Sequence, residues 1–193
     1  MIDPHFVFLA AAIGLTGTIR YAIGTLRGRT SPNRVTWILW AAAPLIGFFA
    51  QLDSQVGLPA VSTLAIGVGP LLVVIASFVN KRATVRLTAF DFACGAVAVV
   101  SLIIWLGLDA APVAVVFAVL AEAVGAVPTV RKAWRDPWSE NAVFYVLVGV
   151  NGTLTLLTLI NWTPATWGFP GYLVLLSLTM TAVITLRRKV VRS

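Results

Sequence analysis

The sequence predicts an all-α membrane protein: seven transmembrane helices in two parallel three-helix bundles joined by a linker helix (3+1+3), with the N-terminus outside and the C-terminus in the cytoplasm. Three observations predict it. First, 59% of the 193 residues are hydrophobic and only 11% are charged, against roughly 45–50% and ~25% in soluble domains; mean hydropathy is +0.94. Second, the apolar residues fall into seven continuous stretches, each near the ~20 residues that carry a helix across a ~30 Å hydrocarbon core. Third, the basic residues occupy alternate connections. This composition excludes a soluble globular domain and a disordered chain, and the single cysteine, Cys94, excludes a disulfide scaffold.

The first stretch, His5–Leu26, follows Pro4. No basic segment precedes it and no A-x-A-like cleavage site follows, so a retained helix is expected and not a signal peptide. The next stretches are Asn33–Leu52, Pro59–Val79, Leu87–Leu108, Pro112–Val130, Asn141–Ile160 and Trp167–Leu186. Pro4, Pro32, Pro59, Pro112 and Pro137 stand at or just before first turns, where a missing N–H costs little, and Ser31 and Ser139 are expected N-caps. Pro44, Pro70 and Pro128 fall inside spans. Without water, backbone groups must pair within the segment, so spans are helices or closed barrels; a barrel would alternate in ~10-residue units, and these runs do not.

All fourteen Lys and Arg residues lie around the first, third and fifth connections and in the tail. The N-terminus and the even connections carry Asp3, Asp53 and Asp109 instead. The positive-inside rule places the N-terminus outside, as an odd number of spans requires. The net charge of +7 is thereby read as topology and not as a nucleic-acid interface. Trp105, Trp162 and Trp167 at outer ends and Trp134 and Trp138 at an inner end fit an aromatic belt.

A shift of 108 residues superposes the first three stretches on the last three without gaps. Gly17, Arg27, Ser31, Asn33, Val35 and Leu39 then meet Gly125, Arg135, Ser139, Asn141, Val143 and Leu147, six identities over positions 17–39. The fourth stretch returns the chain to the outer side, so the two triplets run parallel. The implied units are residues 1–82, a linker at 83–109, and 110–193 with the basic tail. Repeats of this kind recur in transporters, with the substrate site near the midplane between them.

At this point the chain resembles the SWEET and PQ-loop (MtN3/saliva) transporters, which share the 3+1+3 arrangement and the external N-terminus. Val127-Pro128-Thr129-Val130-Arg131-Lys132-Ala133-Trp134, followed by Ser139-Glu140, is similar to that family's Pro-Gln motif, basic connection and next helix start. Thr129 stands in place of the Gln, and Arg20-Tyr21 replaces the motif in the first repeat. The family's sugar transporters have an Asn in the third helix of each triplet; here Gly69 and Ser177 are nearest that depth. The resemblance implies a multi-pass protein of the plasma (inner) membrane that moves a small polar solute, a sugar among the candidates, by alternating access. The other reading is a non-transporting membrane scaffold or accessory subunit with the same fold.

The candidate substrate-binding residues are Trp37, Trp40, Tyr145, Asn151, Glu122 and Ser177. Trp37 and Trp40 share roughly one face of the second helix, and Tyr145 is the 108-shift equivalent of Trp37; aromatic faces stack on flat polar solutes, or they pack against lipid and neighbouring helices. Glu122 lies mid-way along the fifth helix, where an ionised carboxylate is costly unless paired, hydrated or protonated. It either couples protons in a wet cavity or locks two helices opposite Gly14. Asn151 needs partners in a dry span, in a pocket or in an interhelical bond. Pro44 and Pro128 are candidate hinges, or static kinks. Asp91 is expected to pair with Arg86 or a basic neighbour, and Arg20 to snorkel inward.

One histidine and one cysteine build no metal site, no phosphate loop or nucleophile elbow appears, and the last span has no lysine for a retinal Schiff base. No enzyme activity, cofactor or nucleic-acid partner is expected. The bilayer and a small polar solute are the expected partners, and a homo-oligomer remains compatible.

Overall fold

The computed structural model describes residues 2–53, 59–83, 85–107 and 111–192. Among these residues seven α-helices follow one another: α1 (Phe6–Leu26), α2 (Arg34–Asp53), α3 (Pro59–Val79), α4 (Ala89–Leu106), α5 (Ala111–Arg135), α6 (Ala142–Thr158) and α7 (Pro164–Arg192), with 3-10 turns at Lys81–Ala83 and Pro137–Ser139. Among the described residues there is no strand. Leu108 and Asp109, expected at the outer end of the fourth span, and the boundary between 109 and 110 lie outside the described residues.

The helix starts follow local chemistry. Asn33 and Asn141, not Ser31 and Ser139, cap α2 and α6: the Asn33 side chain accepts from the Val35 and Thr36 amides at 3.1 and 3.4 Å, and Asn141 from Val143 at 3.1 Å. An Asx oxygen two residues upstream of a free amide satisfies the first turn. The two serines lie two residues earlier and meet each other, the Ser31 amide donating to the Ser139 carbonyl at 2.9 Å. At α4 the Thr88 amide and hydroxyl both donate to the Asp91 carboxylate at 2.6 Å, which also sets a negative charge at the helix N-terminus. Of the expected partners, Arg86 or a basic neighbour, Arg86 forms no ion pair with Asp91 among the described residues and Arg131 lies in electrostatic range of it; the direct bonds come from Thr88 and from Asn33, whose amide donates to Asp91 at 2.9 Å.

Two helices outrun the expected spans. α5 continues through Arg131, Lys132 and Arg135, and α7 begins at Pro164 and continues to Arg192. Charged residues end a hydrocarbon span but not a helix, since Lys and Arg are good helix formers. A fourth internal proline, Pro170, lies in α7. α1 leaves through a Schellman turn: the Arg29 amide bonds the Gly24 carbonyl at 2.8 Å and the Gly28 amide bonds Thr25 at 3.0 Å, with Gly28 at φ +70°. A side chain is disfavoured at that φ, which is why glycine stands there.

α3 packs against both α1 and α2, and α7 against both α5 and α6; α1 meets α6, α2 meets α5, and α4 lies on α5 and α2. The 108-residue shift turns α1, α2 and α3 into α5, α6 and α7, and every contact among these six helices then maps onto another in the set. The reciprocity reaches single residues. A Cβ on Gly17 would meet Leu147 at 3.2 Å, and a Cβ on the equivalent Gly125 would meet Leu39, the equivalent of Leu147, at 2.9 Å. α4 has no counterpart.

The core lies where these six helices meet, around Tyr21, Trp37, Trp40, Val73, Phe144, Tyr145, Met180 and Ile184; a second cluster of Leu39, Ala98, Leu102 and Ala121 joins α2, α4 and α5. The basic connections share one end of the stack. Asn80 reaches the Thr25 and Leu26 carbonyls, Lys132 the Ser31 carbonyl, and Arg188 the carbonyls of Pro137 and Glu140. The outward faces are apolar, with Val79, Phe92, Ile103, Leu175, Leu178 and Leu186 all exposed. Among the described residues two helical segments, Phe6–Leu26 and Thr166–Val191, are long and apolar enough to cross a membrane.

Candidate functional site

A cavity of about 90 Å³ lies between the two sets of helices. α1 contributes Gly14 and Thr18, α2 Trp40 and Pro44, α3 Pro70, α5 Glu122, α6 Tyr145 and Asn151, and α7 Phe169 and Leu173. Four of the six sequence candidates, Trp40, Glu122, Tyr145 and Asn151, therefore meet in one space, and Pro44 is in the same wall.

The polar groups there are satisfied unequally. Glu122 is 5% exposed and makes no hydrogen bond or ion pair among the described residues. The Trp40 indole N–H and the Tyr172 hydroxyl are buried without a hydrogen-bond partner, and Tyr172 lies within electrostatic range of Glu122. Buried polar groups are ordinarily paired with protein or water; away from the cavity the Trp37 indole N–H and the Thr181 hydroxyl are also buried without a hydrogen-bond partner. Asn151, by contrast, is committed: its amide donates to the Ala10 carbonyl on α1 at 2.5 Å, so it is both a wall residue and a helix–helix link. The expected lock between Glu122 and the Gly14 region is not made by Glu122; Asn151 is the residue that bonds α1.

Trp37 and Ser177 stand away from the cavity. Trp37 is fully buried one turn nearer the basic end, its ring 4.5 Å from that of Tyr21 and 5.2 Å from those of Trp40 and Phe144. Ser177 turns toward α6, where its hydroxyl donates to the Tyr145 carbonyl. Pro128 is buried in the wall of a separate recess at the basic end. Next to it, Thr129 donates to the Thr36 hydroxyl at 3.0 Å and Thr36 donates to the Gly125 carbonyl at 2.6 Å. This chain of hydroxyls ties α2 to α5 beside the proline.

Below the cavity is a network that the sequence reading did not isolate. Glu140, just before α6, is 1% exposed and forms an ion pair with Lys132 of α5. Tyr21 of α1 and Tyr145 of α6 both donate to its Oε2, at 2.9 and 3.0 Å, and Lys132 also donates to the Ser31 carbonyl. Two tyrosine hydroxyls, one ammonium and one carboxylate thus join α1 and the α1–α2 connection to α5 and α6. The signal for it was an acid next to the start of the sixth stretch, at the inner end of a strongly basic chain. Tyr145 is the shared member: its ring walls the cavity and its hydroxyl belongs to the network.

At the same end Arg187 lies over Trp134 and Arg188 over Trp138, at 4.9 and 4.7 Å from the ring centroids, the cation–π geometry. At the other end Asp3 accepts from the His5 amide at 2.8 Å, and that bond holds its carboxyl below the usual carboxylate range. Among the described residues no three His, Cys, Asp or Glu side chains are grouped to hold a metal ion. Compared with protein-family models, curated proteins and solved structures, the chain matches none.

Proposed function

We infer that this protein is a small multi-pass membrane transporter of the SWEET/PQ-loop type, moving a small polar solute by alternating access between residues 1–82 and 110–193, with 83–109 as the linker. The observation that carries the reading is Glu122: an unpartnered buried carboxylate in a cavity whose walls come from both triplets. A carboxylate in a membrane span faces a pathway or a partner, and here the described residues supply no hydrogen-bond or ion-pair partner. The reciprocal helix contacts support two related bundles with the site between them. The apolar outward faces support a bilayer around all seven helices, and only 28% and 17% of the two longest apolar segments is buried, unlike the core helices of a soluble protein.

In this reading Glu140, Lys132, Tyr21 and Tyr145 close the basic end, and opening that end requires the Tyr21–Glu140 and Lys132–Ser31 bonds to break together. The cavity has room for a few waters, so a solute enters only after an end has splayed. Pro44 and Pro128 are where the helices bend, since each removes a backbone bond. A second reading, an accessory subunit that no longer transports, draws on the cavity's small volume and on Asn151 being spent on a helix contact.

The test is uptake by purified protein in liposomes with labelled sugars, amino acids and vitamins, with and without an inward proton gradient. Saturable uptake weakened by Trp40→Ala is expected. Glu122→Gln is expected to remove the response to the gradient while leaving solute exchange. Absence of uptake by a protein of native helical content moves the assignment to the accessory subunit; a gradient response unchanged in Glu122→Gln removes the proton-coupling role alone.

A further inference from the structure

Beside the network at the basic end, α1 and α6 leave an open groove of about 660 Å³ lined by Arg20, Ile23, Arg27 and Arg29 on one side and Ala142 and Val143 on the other. Arg20 and Arg27 are two turns apart on the same face of α1, roughly 10 Å along the axis. The three arginines are exposed, and their guanidinium groups make no hydrogen bond or ion pair among the described residues. Other arginines at this end are committed: Arg34 donates to the Ser77 carbonyl, Arg187 to that of Trp134 and Arg188 to that of Glu140. The carboxylate bordering the groove, Glu140, is already held by Lys132, Tyr21 and Tyr145. Arg20 therefore stands nearly two turns inside the end of α1 without a counter-charge, an expensive position in a bilayer. Ile19, Ile23 and Val143 are exposed along the same groove.

The repeat sharpens the contrast. The 108-residue shift carries Arg20, Gly24 and Arg27 onto Pro128, Lys132 and Arg135, which line the second recess at this end, of about 410 Å³. There the start of α4 closes the side with Thr88 and brings Asp91 into the wall, so the protein supplies its own negative charge. Among the described residues no helix corresponds to α4 beside α1 and α6, and the equivalent groove is left open along an apolar flank.

We propose that the α1–α6 groove binds an anionic phospholipid of the cytoplasmic leaflet, its phosphate against Arg20, Arg27 and Arg29 and an acyl chain along Ile19, Ile23 and Val143. Basic pockets between helices on the cytoplasmic side suit anionic headgroups, and the apolar flank selects a lipid over a soluble phosphate. The proposal rests on the membrane reading given above but not on transport.

The experiment is native mass spectrometry of the full chain in neutral detergent with phosphatidylglycerol, phosphatidylcholine or soluble glycerol phosphate, alongside reconstitution into liposomes. Retention of phosphatidylglycerol over phosphatidylcholine by about tenfold or more is expected from three basic groups near one phosphate, and glycerol phosphate at equal concentration should not displace it. Arg20→Gln/Arg27→Gln/Arg29→Gln should abolish the preference, and Arg131→Gln/Arg135→Gln in the covered recess should keep it. If the triple variant does not fold, Arg27→Gln/Arg29→Gln, at the exposed helix end, should still lower the preference, and high salt should lower it in the unaltered protein. Equal retention of both lipids, a preference untouched by the arginine variants, or displacement by glycerol phosphate would overturn the proposal. A protein that inserts into liposomes without lipid preference overturns only this site; one that stays out of them overturns the membrane reading as well.

Discussion

Glu140 and Glu122 are both buried acids, yet their surroundings lead to opposite expectations. Glu140 has an ion-pair partner whose side chain is 8% exposed and two tyrosine donors. Removing one member of such a pair strands the other charge, at about 3–5 kcal/mol. Lys132→Met should therefore lower the unfolding midpoint strongly, and the double variant Lys132→Met/Glu140→Gln should recover much of the loss, because no buried charge remains. Thermal unfolding in detergent checks this; a double variant as unstable as the single one would show that the pair's geometry, not its charge, is what the fold needs. Glu122 has no such partner. Glu122→Gln keeps its shape and breaks no bond, so the midpoint should stay level or rise, whereas a clear fall would reveal a structural lock. The sequence exposed the second acid and hid the first. A lone carboxylate in a long apolar run is visible by composition. The Glu140 network needs Tyr21, 119 residues away, and a 3-10 turn that folds Glu140 back toward Lys132.

At the scale of helices, the 108-residue shift predicted which elements are equivalent but not which side chains face the cavity. Trp37 and Trp40 share a face by periodicity, yet one turn of depth separates a wall residue from one packed behind Tyr21 and Phe144. Ser177 was chosen by depth alone, and depth says nothing of direction around a helix. Helix ends were legible only to the last apolar residue, since the hydrocarbon boundary and the end of hydrogen bonding are different events. What the repeat did carry is the paired crossing of α1 over α6 and α5 over α2, each at a glycine against a leucine. Gly17→Val and Gly125→Val should each cost about 1–3 kcal/mol by overpacking. Leu147→Ala should rescue the first and Leu39→Ala the second, with no rescue in the crossed combinations, because only contacting residues couple. Rescue in every combination would indicate general loosening instead of two specific crossings.

For the molecule as a whole, the charge map and the tertiary bonds address the same question by independent routes. Under the proposed seven-span reading, charge counting assigns all fourteen basic residues to one side of a bilayer; the hydrogen bonds from Asn80, Lys132 and Arg188 bring three of those connections and the tail physically to one end. A soluble helical bundle has no reason to gather its cations at one end and expose leucine, isoleucine and phenylalanine along its sides, whereas a bilayer requires both. The arrangement makes a strict prediction about access. In a Cys94→Ser background, a cysteine introduced at Asn161, at the α6–α7 connection, should react with an impermeant maleimide added to intact cells. Cysteines at Arg29, at the α1–α2 connection, and at Lys189, in the tail, should react only after the membrane is opened. An intermediate number of spans would break this pattern at a definite place. If only α1 and α7 crossed, Arg29 and Asn161 would share a side, joined through helices that never leave it. Labelling of both from the same face would therefore require an even number of crossings between positions 29 and 161 and overturn the seven-helix arrangement. Labelling of Asn161 alone from outside would require an odd number of crossings between positions 29 and 161, as the seven-helix arrangement demands.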